Sequence, residues 1–371
     1  RDAAQIILRC GSFLSPENTR KTLRYVLKEG VNNGFDGLFM PIVSLWDYFR
    51  VTGDEALLRQ TWEDVRACLA KVEPLYDQER CLLRVERSTS NDAFPESETG
   101  GYALSTEIYY YAALCAAAGI QKHMGLPAEE DLPYGQRAEC VLQSIRQKYW
   151  NAGVGFFTSG PQGSPSYAQG FWETSGQEAA LWSKFGVASA QQRESILSRL
   201  KNVAWSEHGI VLFPYRQDRN HFTNASWSVY SAGFAQAMAR ENRANDLWAL
   251  ICQQVRIAVV YRTFYEVLDT DTGRCWRWPD QTWHAAGFIS VILYGVLGLD
   301  YGGEGLSFHP CVPEELRDMT LDGLVWHDAV LRIEVQGWGQ KKCVLLDDAA
   351  VDTIPTQIHG AHCIRLRMTR H

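Results

Sequence analysis

The chain has no basic stripe, no long uninterrupted apolar run and no CxxC pair, and each absence removes a class of function. Its 371 residues carry a formal net charge of −7 and a sequence pI near 5.8. That mild acidity is spread along the chain, so nothing is arranged to neutralise a run of phosphates, and nucleic acid is not an expected partner. The most apolar stretch, 288–299, contains glycine and falls short of the roughly 18–20 residues that a spanning helix needs. No membrane partner is expected. Without CxxC, zinc ribbons and thioredoxin-type redox chemistry lose support. Cys10, Cys68, Cys115, Cys140 and Cys252 lie in helical patterns, where a thiol behaves as a small hydrophobe, so the ten cysteines read as free buried thiols of a reducing compartment. The chain opens on Arg1-Asp2 with neither an initiator methionine nor a signal peptide, and helical pattern begins at once. The expectation is a cytoplasmic protein from which a preceding helix is missing. His208, His221 and His284 are not spaced as metal ligands, and neither a metal nor an organic cofactor is expected.

What is present is a hydrophobic fraction of 46%, ample for a full core, in a succession of amphipathic helices. Helical period runs over 2–14, 17–30, 36–52, 54–77, 102–121, 134–150, 173–185, 189–203, 226–240, 243–262 and 281–298. Joints such as Thr52-Gly53-Asp54 and Phe185-Gly186-Val187 are tight, which makes antiparallel hairpins. The loops 78–101, 151–172, 204–225 and 263–280 are long and recur once per hairpin, so they should all emerge at one end. Helices following long loops are apolar nearly all round, whereas their partners carry charge on one face. A mainly α fold follows, an (α/α)6 toroid of inner and outer rings over 1–300. After Leu299 short alternating segments appear, including 306–308, 324–326, 329–335, 343–346 and 363–368. They read as a small antiparallel β region over 301–371 packed on the barrel.

The long loops are the natural place for a site, because a rigid scaffold then positions their side chains. Trp172, Tyr215, Trp227, Trp276, Trp278 and Trp283 stand in or beside them, among Asp, Glu, Arg, His and Asn. Aromatic faces stack on the C–H faces of pyranose rings while carboxylates and amides hold hydroxyls, a combination that suits a sugar. Glu173, Glu107 and Asp280 are further candidates for holding hydroxyls. Glu173 serves a helix terminus equally well, Glu107 could pair with an arginine, and Asp280 could cap its helix.

The order of elements resembles the six-hairpin glycosidases, especially the clan of trehalases and mannosyl-oligosaccharide glucosidases (families 37 and 63), and bacterial glycogen-debranching-related proteins. Ser90-Asn91-Asp92-Ala93-Phe94-Pro95 sits where family 63 has Gly-x-Asp-Asp-Tyr-Pro. Thr263-Phe264-Tyr265-Glu266 with Asp271-Thr272-Gly273 is similar to that family's Tyr-Glu-x-Tyr … Thr-Gly segment. Asn224 to Trp227 resembles the stretch before another inner helix, and Arg1-Asp2 the pair that begins the catalytic barrel. Two departures stand out: the doubled aspartate is Asn91-Asp92, and no aromatic follows Glu266.

The resemblance implies an inverting glycoside hydrolase acting on an oligosaccharide or glycoside, with Asp92 as general acid and Glu266 as general base. Glycosidic cleavage needs such a pair, one carboxyl protonated at the leaving oxygen and one ionised for the water. Phe94 and Pro95 would raise the acid's pKa by desolvation. Against this, Asp92 also suits an Asx-turn before Pro95, and Glu266 a solvated strand edge. An α-L-rhamnosidase-type enzyme, a phosphorylase on the same barrel and a non-catalytic sugar-binding protein remain open alternatives.

Overall fold

The computed structural model describes residues 1–29, 35–85, 96–127, 133–215 and 223–369. Asp92 and His221 lie outside them. Among the described residues, eleven helices of more than six residues succeed one another. The first, α1, is continuous over 2–14 as Asp2–Ile6, a π turn Ile7–Gly11 and Ser12–Leu14. Then come α2 (Pro16–Glu29), α3 (Asp36–Thr52), α4 (Glu55–Ala70), α5 (Leu104–His123) and α6 (Tyr134–Lys148). The series ends with α7 (Thr174–Leu181), α8 (Ala190–Val203), α9 (Ser228–Arg240), α10 (Ala244–Tyr261) and α11 (Thr282–Ser290), which continues as a π turn over Val291–Val296.

The odd-numbered helices form a closed ring: each packs on the next, and α11 returns to α1. The even-numbered ones lie outside, α2 and α4 on α3, α6 on α5, α8 and α10 on α9. Composition explains the division. All eight residues of α7 are buried, as are twelve of the thirteen in α9, whereas α8 buries only Ile196, Leu197 and Leu200. Small residues let the inner helices approach. A Cβ on Gly287 would stand 3.2 Å from the Val229 Cα, and one on Gly233 would collide with the Glu178 carboxylate.

Local chemistry sets the ends. Gly53 takes φ 72° and its N–H reaches the Phe49 carbonyl at 2.7 Å, closing α3. The next residue, Asp54, caps α4 by accepting from the Leu57 N–H at 3.0 Å. The helix expected over 54–77 stops at Ala70, and Pro74, lacking an N–H, sits in a separate 3-10 turn, Glu73–Leu75. That expected over 173–185 stops at Leu181, where Trp182 turns extended at ψ 122°.

The described parts of the four long loops meet at the N-terminal ends of the inner helices, the first by Glu96–Thr99 packing on Pro165–Gln169 and the others through a relay of backbone hydrogen bonds. Leu104 N–H donates to Ser159, Ser159 to Phe171, Thr174 to Leu212, Leu212 to Ala225 and Thr270 to Asn224. A three-stranded sheet completes it, β1 (Ala225–Ser226), β2 (Val267–Asp269) and β3 (Cys275–Trp276) in that order. These loops therefore share one rim.

Beyond α11 the chain forms a hairpin of β4 (Leu299–Gly302) and β5 (Gly305–Phe308), then a five-stranded sheet. Its strands are β6 (Thr320–Trp326), β7 (Asp328–Gln336), β8 (Lys341–Leu346), β9 (Ala349–Ala350) and β10 (His359–Thr369), ordered β6-β7-β10-β8-β9. The antiparallel expectation is corrected here, because β7 and β10 run parallel. Alternation reveals which face of a strand is buried but not its neighbour, and β10 inserts between two strands that precede it. In β7 Ala329, Leu331, Ile333 and Val335 face inward. The sheet covers the end of the ring opposite the rim: β6 packs on α1 and α3, and His327 N–H donates to the Val51 carbonyl at 2.8 Å. One apolar core runs through helices and strands alike. All ten cysteines are free thiols, but only Cys10, Cys68 and Cys311 are buried, while Cys115, Cys140, Cys252 and Cys343 are exposed, which corrects the expectation of buried thiols. No described helix is long and apolar enough to cross a membrane.

Candidate active site

Glu173 occupies the position before the first residue of α7, on the rim, and is 1% exposed. Its backbone is extended because the next residue, Thr174, is stitched to the neighbouring loop: its N–H reaches the Leu212 carbonyl at 3.0 Å. The carboxyl does not cap the helix. Burial pushes its pKa up to about 7, against the lowering effect of the Ser175 and Ser105 hydroxyls. Its Oε2 is buried with no hydrogen-bond partner among the described residues. Such an atom needs an explanation.

Glu266 immediately precedes β2. The Arg277 guanidinium lies 3.0 Å from its Oε2, a permanent positive charge against this carboxylate. Its backbone is held at both ends. The N–H donates to the Trp278 carbonyl at 2.8 Å, and the carbonyl accepts from His284 Nε2 at 3.1 Å. His284 is fully buried in the first turn of α11, and its Nδ1 accepts from the Val229 N–H of α9 at 3.0 Å. Burial drives its pKa down to about 3, so the imidazole is neutral and its single proton points at Glu266. One histidine thus fixes Glu266 over the ends of two inner helices.

The aromatic residues divide. Trp227, Trp283, Tyr215 and Trp276 gather in one rim cluster with Leu212, Phe213, Tyr230 and Val267. Tyr215 stacks on Phe171 at 4.1 Å, one residue before Trp172. Trp172, which precedes Glu173 in the chain, stacks on Phe156 at 4.0 Å and is buried. Trp283 is buried, donates to Gln281 Oε1 at 2.8 Å and stacks on His284. Trp278, at 65% exposure, is the open aromatic surface of this loop.

Glu107 and Asp280 each hold a contact within the fold. Glu107 is fully buried and both its oxygens accept from the Leu83 N–H, at 2.9 and 3.2 Å, pegging the start of the first long loop. Asp280 accepts from Thr263 Oγ1 at 2.7 Å while its own N–H returns to that hydroxyl at 3.1 Å. This exchange closes the loop 263–280 at its base; the cap position of α11 belongs to Gln281.

Two features escaped the sequence. His284 reads there only as a histidine not spaced for metal binding, and its contact with the Glu266 carbonyl gives it a role. Below the rim, Arg9 and Glu178 form an ion pair of 2.6 Å at 0% and 1% exposure, with the guanidinium 4.3 Å from the Trp182 ring. Nothing in the local pattern of α1 or α7 signals a pair so distant in sequence. Among the described residues no three His, Cys, Asp or Glu side chains converge as metal ligands would.

No protein-family model matches the chain, and no curated protein does. Solved structures do. A protein described as a sialidase aligns over 88% of this chain with a TM-score of 0.68 at 15% identity. A GH78-family rhamnosidase of Bacillus sp. GL1 aligns over 91% with a TM-score of 0.57 at 13% identity. An uncharacterized conserved protein from Thermus thermophilus aligns over 78% with a TM-score of 0.57 at 12% identity. The chain spans about a third of the first two, 33% and 35% of their lengths, and 92% of the third. The fold is therefore one that glycoside hydrolases use. Neither enzyme is a trehalase or a mannosyl-oligosaccharide glucosidase, the families whose motifs the sequence resembles.

Proposed function

We propose that this chain is the catalytic (α/α)6 toroid of a glycoside hydrolase, cleaving an oligosaccharide or glycoside at the rim by general acid–base chemistry. The observation that carries the reading is Glu173, a fully buried carboxyl whose pKa burial raises to about 7, beside an aromatic cluster and on the same rim as Glu266. Fold likeness alone does not assign an activity. A carboxyl of this kind delivers its proton to the leaving oxygen as the glycosidic bond breaks. Glu266, held against Arg277, takes a proton from the water that attacks the anomeric carbon. Trp278 offers an open face for a sugar ring. Asp92, to which the motif resemblance gives the acid role, lies outside the described residues and is the rival donor.

Inversion belongs to this proposal. A water between Glu266 and the sugar requires the acid and base to stand roughly 6.5–9.5 Å apart, against roughly 5–5.5 Å for a retaining pair. The likeness to a GH78-family rhamnosidase favours a second reading, an α-L-rhamnosidase-type substrate on the same machinery. Neither reading calls on a cofactor.

A panel of aryl glycosides, rhamnosides and sialosides among them, tests the proposal with and without phosphate. Hydrolysis independent of phosphate and lost in Glu266→Gln is the expected result. Turnover only with phosphate would mean a phosphorylase, and sugar binding without turnover would mean a binding protein.

A further inference from the structure

At the end of the ring opposite the rim, a mainly polar cavity of about 660 Å³ lies between the last turns of the inner helices and the β strands. That size suits a small-molecule site. Arg50, Lys184, Arg240 and Lys342 line it, with Asp300 as the single carboxylate, in a chain whose overall charge is −7.

Lys184 is part of the floor. Its Nζ donates to Asp47 Oδ1 at 2.7 Å and to the Tyr301 hydroxyl at 2.6 Å. The other three cations are different: none forms an ion pair with a carboxylate among the described residues, and Arg50 instead lies 5.2 Å from the Tyr301 ring. Desolvation, then repulsion from Arg193, pushes the Arg240 pKa down, and desolvation does the same for Lys342. Cations at the C-terminal ends of helices complement their dipoles, which accounts for Arg50 and Arg240. It does not account for Lys342, which sits on β8, or for open space between like charges.

We propose that this cavity binds a small multivalent oxyanion of the phosphate-ester class. Two guanidinium forks suit paired phosphate oxygens, Lys342 supplies a point charge, and Asn242, whose carbonyl accepts from Gln340 Nε2 at 3.4 Å, leaves its side chain for a hydroxyl. The site is remote from Glu173 and Glu266 and does not depend on the glycosidase reading.

Calorimetric titration of the 371-residue chain with inorganic pyrophosphate at moderate salt tests it. One saturable site is expected, weakened about tenfold or more by Arg240→Ala and by Lys342→Ala. Asp300→Asn should tighten binding, a gain that misfolding cannot imitate. Lys21→Ala, which removes an exposed cation on α2, should leave it unchanged. Absence of a saturable site, equal loss in Lys21→Ala, or weaker binding in Asp300→Asn would each overturn the proposal. So would a sulfated disaccharide binding more tightly than pyrophosphate, because the ligand would then be a sulfated sugar.

Discussion

Replacing Glu173 with glutamine should inactivate the protein and stabilise it at the same time. Burial holds this carboxyl's pKa at about 7, against 4.5 in the absence of the fold. The folded state therefore binds a proton that the unfolded state has already released. The sign follows: stability falls as pH rises from about 4.5 to about 7 and stays reduced above that. The gap corresponds to about 3 kcal/mol on the ionised form. Glutamine keeps the shape and cannot ionise, so the variant should recover up to about that amount at pH 8, less what the Ser105 and Ser175 contacts lose. At pH 5 the advantage should nearly vanish. Thermal unfolding of both proteins at the two pH values reads this directly. In parallel, kcat on an alkyl glycoside should fall by about 10²–10⁴, the usual contribution of a general acid. An aryl glycoside with an acidic leaving group, which needs little protonation, should recover most of the rate. A variant that is active and destabilised at both pH values would make Glu173 a structural residue and refute the reasoning.

Four further outcomes follow from the same geometry. Glu266→Gln should lower kcat by roughly 10²-fold or more with an unchanged circular dichroism spectrum, and no leaving group should rescue it. Asp92→Asn should keep near wild-type kcat on both substrate types; a large loss on an alkyl glycoside that an aryl glycoside with an acidic leaving group restores, with Glu173→Gln active, would make Asp92 the donor. Glu178→Ala leaves Arg9 buried without its partner and should cost about 3–5 kcal/mol in chemical denaturation, whereas a loss under about 1 kcal/mol would mean the pair is hydrated. His284 titrates near 3 in the fold against an ordinary 6.5, so its contribution is present above about 6.5 and is lost as pH falls toward 3. Urea titrations of wild type and His284→Gln across that window should converge at its acid end, and parallel curves would contradict the assignment.

Much of the architecture was legible because helical period and loop length are local properties. The unbroken small and aromatic stretch of α9 marks an inner helix, and Gly53 with Asp54 marks a hairpin joint. The small residues that permit close packing, such as Gly233 and Gly287, were visible only as composition. Helix ends shifted where a single residue decided, as at Pro74. Strand neighbours were not legible, since the pattern of β7 is the same whether β10 runs parallel or antiparallel to it. For the site, clustering of Trp227, Tyr215, Trp276 and Trp283 on one rim follows from loop order. What could not be read was environment. Glu107 and Glu173 stand at helix starts and Glu266 before a strand, yet one pegs a loop, one is a buried acid and one pairs with Arg277. Burial and partners separate them, and both are tertiary facts.

Proton NMR of a hydrolysis reaction, followed from the first minutes before mutarotation, tests the central claim most directly. The expected product has inverted anomeric configuration, forms without added phosphate and is missing in Glu266→Gln. A product that keeps the substrate's configuration, or one that forms at an undiminished rate in Glu266→Gln, would contradict the claim.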